Sequence, residues 1–332
     1  MFSYILRRLL LFVPVLIAIS FLIFVIIQLP SGDYVTTYVE ELRAQGVEVK
    51  PEDIQELKRR YGLDQPLYGQ YLRWIRNILL EGDFGRSFSW NKPVSAILKD
   101  TVPLTIAVSL GSTLFVYLVA IPIGIYSATH KYSLFDYVAT FIGFIGLSVP
   151  GFLLALILVW VVYSTFGVNI TGLFSPQYAD APWSLGKFLD LLKHIWFPII
   201  IIGMSGTAGL IRVMRGNLLD ELQKQYVITA RAKGLKESEV LLKYPVRVAI
   251  NPIVSTIGWV LPSIVGGETL VSIVLNLPTT GPVLLRATLS QDMYLAGSIT
   301  LILSTLTLVG TLISDLLLAW LDPRIRFGKA GE

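Results

Sequence analysis

Cysteine is absent from the 332 residues, which excludes disulfides, thiolate metal sites and a cysteine nucleophile. Histidine occurs only at His130 and His194. Each sits at the end of an apolar run, where an interfacial residue is the ordinary reading, so no Ser/His/Asp set can be assembled. No GxxxxGK[ST] loop is present to cradle nucleotide phosphates, and no HExxH pair to hold zinc. Charge is scarce as well: 15% of residues are Asp, Glu, Lys or Arg, against about 25% in a soluble domain. The net charge of +4 is a weak bias. The basic residues flank apolar runs instead of forming a base-reading face, which argues against nucleic acid as a partner.

Apolar sequence is abundant, at 54%. A helix needs roughly 20 apolar residues to cross a hydrocarbon core of about 30 Å. Runs of that length predict an all-α integral membrane protein in contact with lipid, with about six transmembrane helices, at roughly 9–29, 102–128, 135–163, 195–214, 252–275 and 295–320. The first run follows Arg7 and Arg8, is longer than a signal-peptide core, and ends in Gln28-Leu29-Pro30 without a small-residue cleavage site, so it reads as a retained helix. Lys131, Lys224, Arg231, Lys233, Lys236, Lys243, Arg247, Arg324 and Arg326 fall on the side of Arg7 and Arg8 if there are six crossings. The positive-inside rule then places both termini in the cytoplasm.

The organisation expected is a first helix at 1–29, an extracytoplasmic helical segment at 30–100, a five-helix core at 101–320 with a cytoplasmic loop at 215–250, and a tail at 321–332. In the outer segment, Pro51 followed by Glu52 and Asp53 reads as a helix start. Leu67, Tyr71, Trp74, Ile75, Ile78 and Leu79 share one helical face before a stop at Gly82. Small residues recur four apart at Ala107/Gly111, Ala120/Gly124 and Gly124/Ala128. They recur three apart at Gly143/Gly146 and Gly203/Gly206/Gly209. That spacing lets helices approach closely in lipid. Ionisable residues within spans are few. Asp136, Arg212 and Asp315 lie near span ends, where snorkelling relieves them. Glu268 is the deepest, and reads either as a pathway carboxylate or as one hydrogen-bonded inside the bundle.

The loop at 215–250 is the one sizeable cytoplasmic segment. Val227, Ala230 and Gly234 share a helical face, Arg231 and Lys233 project elsewhere, and Gly234 permits a sharp turn. A second short helix fits 236–242. From its residues alone the loop is either a basic juxtamembrane loop or a docking element.

YVITARAKGL at 226–235 resembles the cytoplasmic loop of permease subunits of ATP-binding-cassette importers. RRYGLDQPLYGQYLRWI at 59–75, GDFGRSF at 82–88, SVPGFLLAL at 148–156 and LDPRIRFG at 321–328 resemble, more specifically, the dipeptide/oligopeptide (Dpp/Opp B-type) permeases over nearly the whole chain. Ile228-Thr229-Ala230 stands where the general importer loop has Glu-Ala-Ala, and Pro278-Thr279-Thr280-Gly281-Pro282 matches that family's turn loosely. The resemblance implies a type I importer fold and a non-catalytic subunit of the plasma (inner) membrane. Its partners would be a second homologous permease, two cytoplasmic ATPases holding ATP and magnesium, and an extracytoplasmic substrate-binding protein; this chain itself would bind no cofactor. The coupling residues it implies are Tyr226, Thr229, Ala230, Arg231, Ala232, Lys233, Gly234, Leu235 and Glu237. The pathway candidates are Ser148, Pro150 and Glu268. Peptides are the favoured cargo, with oligosaccharides or nickel complexes as alternatives. An ion-coupled carrier or channel built on Glu268 is the competing class, and a membrane enzyme a third.

Overall fold

The computed structural model describes residues 2–28, 35, 36, 39, 42, 43, 45, 49–61, 64–255 and 269–321. Among them every element is a helix, and the sole β-bridge joins Arg86 to Pro93. In chain order the helices are α1 (Phe2–Gln28), α2 (Pro51–Tyr61), α3 (Leu67–Glu81), α4 (Val94–Thr129), α5 (Leu134–Ser148), α6 (Gly151–Phe166), α7 (Pro176–Ala179), α8 (Leu185–His194) and α9 (Trp196–Leu222). They continue with α10 (Gln225–Ala232), α11 (Glu237–Lys243), α12 (Pro245–Ala249), α13 (Asn251–Ser255), α14 (Thr269–Val274), α15 (Thr280–Leu289) and α16 (Met293–Leu321).

Three helical stretches among the described residues are long and apolar enough to cross a membrane: Val94–Thr129, Leu185–Leu222 and Met293–Leu318. A fourth is available if α5 and α6 form one span, although they are bent by 104°. Among the described residues, then, three or four of the six expected spans are found. The third run, 135–163, is not one straight helix, because Pro150 has no N–H and forces Val149 into extended backbone (φ −94°, ψ 122°). The apolar stretch Leu10–Ile26 of α1 is shorter than the others. Most of the fifth run lies at 256–268, outside the described residues, as does Glu268.

The chain divides into two compact units. The first contains 1–105 and 278–306. Here α3 begins after Pro66 and ends at Gly82 in the left-handed region (φ 64°), as the sequence pattern predicts. Tyr71, Trp74, Ile75 and Ile78 pack around Phe24 and Met293, while Leu67 and Leu79, expected on the same face, are exposed. The GDFGRSF segment is tied to the start of α16 by Asp292. This carboxylate is fully buried and accepts from Ser87 Oγ (2.6 Å), Ser89 N (3.0 Å), Ser89 Oγ (2.9 Å) and Leu295 N (3.3 Å). Gly85 is required at φ 88°, and a Cβ there would stand 3.0 Å from the Tyr294 ring. Val94, Ile97, Leu98, Ala287, Leu295, Ala296 and Ile299 form an apolar core of this unit.

The second unit contains 106–277 and 307–332, and α9 is its hub. Helix α4 runs parallel to α9, meeting it at Gly111 against Ile199, Gly203 against Phe115, and Gly124 against Met214. Helix α5 runs antiparallel to α9, with Gly143 and Gly146 against Ala208 and with Leu147 against Gly209. The glycines singled out in the sequence thus lie on these two seams. Near the far end of α9, Met214 and Leu218 are buried with Ala128, Val246, Ala249 and Ile253. Helix α8 is amphipathic with its polar face inward. Lys187 donates to the carbonyls of Ala179 (3.2 Å) and Ala181 (2.7 Å) and lies over the Phe174 ring, while Asp190 accepts from Ser175 N and Oγ (2.7 Å each). Its apolar side, Leu185, Leu189 and Leu192, continues into Trp196, Ile200 and Met204 as an outward stripe.

A Cβ on Gly124 would stand 2.7 Å from Met214 Cβ and 3.1 Å from the Ile211 carbonyl oxygen, whereas one on Gly216 meets nothing within 4 Å. Gly124→Ala is therefore expected to destabilise the chain by about 1–3 kcal/mol through overpacking, and Gly216→Ala to leave it unchanged or slightly more stable. Thermal unfolding of the two variants in detergent checks the contrast.

Candidate coupling hairpin and span break

The hairpin α10–α11 grows directly from the end of α9. Gln223 is the last residue in helical geometry, Lys224 turns extended (φ −73°, ψ 147°), and α10 starts one residue later. Helix α10 stops at Lys233 because Gly234 adopts φ 76°, a conformation that costs an L side chain about 1–2 kcal/mol. Lys236 is again extended, and α11 opens with Glu237 and Glu239 in its first turn and closes with Lys243 in its last, in keeping with the helix dipole. Tyr244 and Pro245 then redirect the chain into α12.

One face of each short helix is dry. Val227 and Val240 are fully buried, Ala230 nearly so, and Leu235 and Tyr244 pack on them. Burying each valine contributes about 1.5–3 kcal/mol. The outer rim is polar. Arg231 and Glu237 face each other across the Gly234 turn, with Nη2 to Oε1 at 2.6 Å and Nε to the two carboxylate oxygens at 3.2 and 3.1 Å. The pair holds the Glu237 carboxyl below and the Arg231 guanidinium above their ordinary values. Both side chains are largely exposed, at 64% and 43%. Tyr226 donates its hydroxyl to Glu221; burial, together with that carboxylate, pushes its phenol pKa up.

Of the residues expected to couple, Tyr226, Thr229, Arg231, Ala232, Lys233, Gly234 and Glu237 are exposed. Leu235 is half-buried, and Ala230 points into the hairpin's own core, where it packs instead of presenting a surface. The second candidate region is the break between α5 and α6. Ser148 ends α5 with Oγ donating to the Phe144 carbonyl (2.8 Å), and Pro150 precedes α6; both are exposed. The third pathway candidate, Glu268, lies outside the described residues.

Sequence reasoning missed one strong contact. Asp136, expected to snorkel at a span end, is only 2% exposed and forms a two-pronged ion pair with Arg215 of α9, Oδ1 to Nε at 2.7 Å and Oδ2 to Nη2 at 2.8 Å. Tyr132 N also donates to Oδ2 (2.9 Å), while Ser133 Oγ caps the helix by accepting from Asp136 N (3.2 Å). The Ser133-x-x-Asp136 spacing is a capping-box pattern and was the available signal.

Among the described residues no group of three or more His, Cys, Asp or Glu side chains could hold a metal. Comparisons with known proteins bear on the family of the chain. The family model described as "Binding-protein-dependent transport system inner membrane component" matches residues 120–327, and its N-terminal companion matches 1–109. The chain is similar to the oligopeptide transport system permease protein AppB of Bacillus subtilis, at 35% identity over 98% of this chain and 100% of that one. It is also similar to the inner membrane ABC transporter permease protein YejB of Escherichia coli O157:H7, at 31% over 98% and 99%. The dipeptide transport system permease protein DppB of Alkalihalophilus pseudofirmus is 29% identical over 98% and 100%.

Two substitutions separate the layers of the hairpin. Glu237→Gln removes an exposed ion pair and is expected to cost less than about 1 kcal/mol. Val240→Ala opens the buried face and is expected to cost roughly 2 kcal/mol. Hydrogen exchange of the amides at 225–243 should rise slightly in the first variant and strongly in the second. Because the Glu237 pKa is lowered on folding, the small contribution of the pair is present at neutral pH. It is lost only as pH falls through that lowered value, below the ordinary carboxylate range.

Proposed function

The chain belongs to the family of binding-protein-dependent transport system inner-membrane components, and on that premise we propose that it forms half of a peptide pathway driven through the 226–245 hairpin. Membership in this non-catalytic permease family makes the chain a multi-pass inner-membrane subunit of an ABC importer of the oligopeptide and dipeptide type. Peptide as cargo rests on relatives named for oligopeptide and dipeptide transport. Six crossings, with the first in α1 and the fifth at 252–275, put both termini and the segment 215–250 in the cytoplasm, the extracytoplasmic segment at 30–100, and the tail at 321–332. The partners are a second homologous permease, two ATPases that hold ATP and magnesium, and a substrate-binding protein outside.

The observation that carries this reading is the build of the hairpin. A dry core of Val227, Ala230 and Val240 makes it stiff enough to transmit a push, and an exposed rim of Tyr226, Thr229, Arg231, Ala232, Lys233 and Glu237 offers hydrogen-bonding and charged groups to a groove. A flexible basic loop needs no such core. When the ATPases close on ATP, the hairpin moves with them. The spans then change their opening only to the extent that nucleotide binds the two states differently. Ser148 and Pro150 at the span break, with Glu268, are the pathway residues of this proposal.

The turn at Gly234 supplies the test. No neighbour lies within 4 Å of a Cβ at this position, so its requirement is the backbone angle alone. In the assembled importer, Gly234→Asn, which tolerates left-handed backbone, is expected to keep most uptake. Gly234→Val is expected to lose uptake while the subunit remains in the membrane and the ATPases still hydrolyse ATP. Equal uptake by the two variants would count against the docking role. The isolated chain in liposomes is expected to move no labelled peptide; transport by it alone would favour the ion-coupled carrier.

A further inference from the structure

We propose that the Asp136–Arg215 ion pair is a positioning clasp that makes α5 and α9 move as one lever, delivering displacement of the coupling hairpin to the break at Ser148-Val149-Pro150. The inference rests on the coupling role proposed above and adds the route by which the motion travels.

Four observations carry it. First, α9 leads into the hairpin with only Gln223 and Lys224 between, so the two cannot be displaced independently. Second, the clasp lies seven residues before the C-terminus of α9, and Asp136 lies in the first turn of α5, so the two helices are joined near the hairpin end. Third, the seam continues away from the clasp through Gly143, Gly146 and Leu147 of α5 against Met204, Ala208 and Gly209 of α9. At such close approach the helices resist sliding. Fourth, α5 ends one residue later at Ser148, where the chain turns by 104° into α6.

The charge chemistry explains why a clasp is needed there. The small residues of the seam hold by short-range van der Waals contact, which loses a quarter to a half of its strength at a gap of about 0.5–1 Å. The two-pronged pair resists separation over a longer range, and its carboxylate is held in place on the α5 side. Tyr132 N holds one carboxylate oxygen and the Ser133 cap holds the helix end. A planar guanidinium pinned by two oxygens also sets the rotation of α9, which a single point charge would leave free. A buried carboxylate left without its partner is costly. The pair therefore stays closed through the cycle and is not a latch that opens.

Because this chain has no cysteine, the two introduced thiols are the only ones it carries. The double variant Asp136→Cys/Arg215→Cys is assembled with the second permease, the ATPases and the binding protein in liposomes. Uptake of a labelled mixture of short peptides is then measured per ATP hydrolysed. Uptake per ATP is expected to fall by about tenfold, and a short bis-methanethiosulfonate reagent bridging the two thiols should restore it until reductant cleaves the bridge. A loss of folding alone would not be repaired in complexes already assembled. Inhibition by the bridge, with transport unimpaired before it, would show that the helices separate during the cycle and would overturn the proposal. Unchanged uptake per ATP without the bridge would also overturn it. If the double variant does not assemble, Arg215→Lys keeps the charge but loses the fork. It is expected to lower uptake per ATP by about fivefold, and wild-type coupling in it would overturn the clasp. Failure of the underlying reading looks different: the Gly234 variants would then also couple normally, or the isolated chain would transport.

Discussion

Close approach to α9 is the constraint on which the second unit depends. In a bilayer there is no hydrophobic force to drive one apolar helix against another, so association has to come from van der Waals contact and from polar groups that find partners. The chain meets the first requirement by removing side chains. Gly111, Gly124 and Gly203 bring α4 and α9 into contact, and Gly143 and Gly146 bring α5 to the other side of α9. The result is a helix with α4 and α5 close along its length, α12 packed near its far end, and an outward face. That face carries Trp196, Ile200 and Met204 and continues up α8 as Leu185, Leu189 and Leu192.

The second requirement is met by saturating each buried charge where it stands. Asp136 has Arg215 and a backbone N–H; Asp292 has two serine hydroxyls and two backbone N–H groups; Lys187 has two carbonyls and an aromatic face; Asp190 has Ser175. A buried carboxylate without such partners costs several kcal/mol. These groups therefore fix conformations that apolar packing alone would leave degenerate. Asp292 fixes the GDFGRSF turn on the start of α16, and Asp190 and Lys187 fold the segment before α9 into a compact cap on its own residues.

The apolar runs, the helix starts at Pro51 and Pro66, the Gly82 stop and the Gly234 turn were legible in the sequence, because each rests on local backbone preference or on length. The small-residue spacing was legible as packing too, although not which helices would meet. Two things were not, and a third was legible but misassigned. The bend at Pro150 was hidden because the run 135–163 is apolar throughout, so hydropathy gave no sign of a break that one proline imposes. The Asp136–Arg215 pair was hidden because its members are 79 residues apart and each lies near a span end, where an exposed charge is equally ordinary. Ala230 was assigned to the docking surface from its place in a motif. Helical spacing with Val227 already put it on the dry face, where the structure has it.

That last case bears on how such a loop functions. A docking motif can mix residues that touch a partner with residues that hold the presenting shape, and burial separates the two. Here Val227, Ala230, Val240 and the backbone angle of Gly234 make the shape, while Tyr226, Thr229, Arg231, Ala232, Lys233 and Glu237 are left at the surface. The ion pair between Arg231 and Glu237 belongs to both groups, since it spans the turn yet stays open to solvent. In water such a pair is worth little. In a groove that excludes water the same geometry would interact more strongly, because the effective dielectric falls. Under the proposed coupling role, docking would then tighten the hairpin, and a stiffer hairpin would pass more of its displacement into α9.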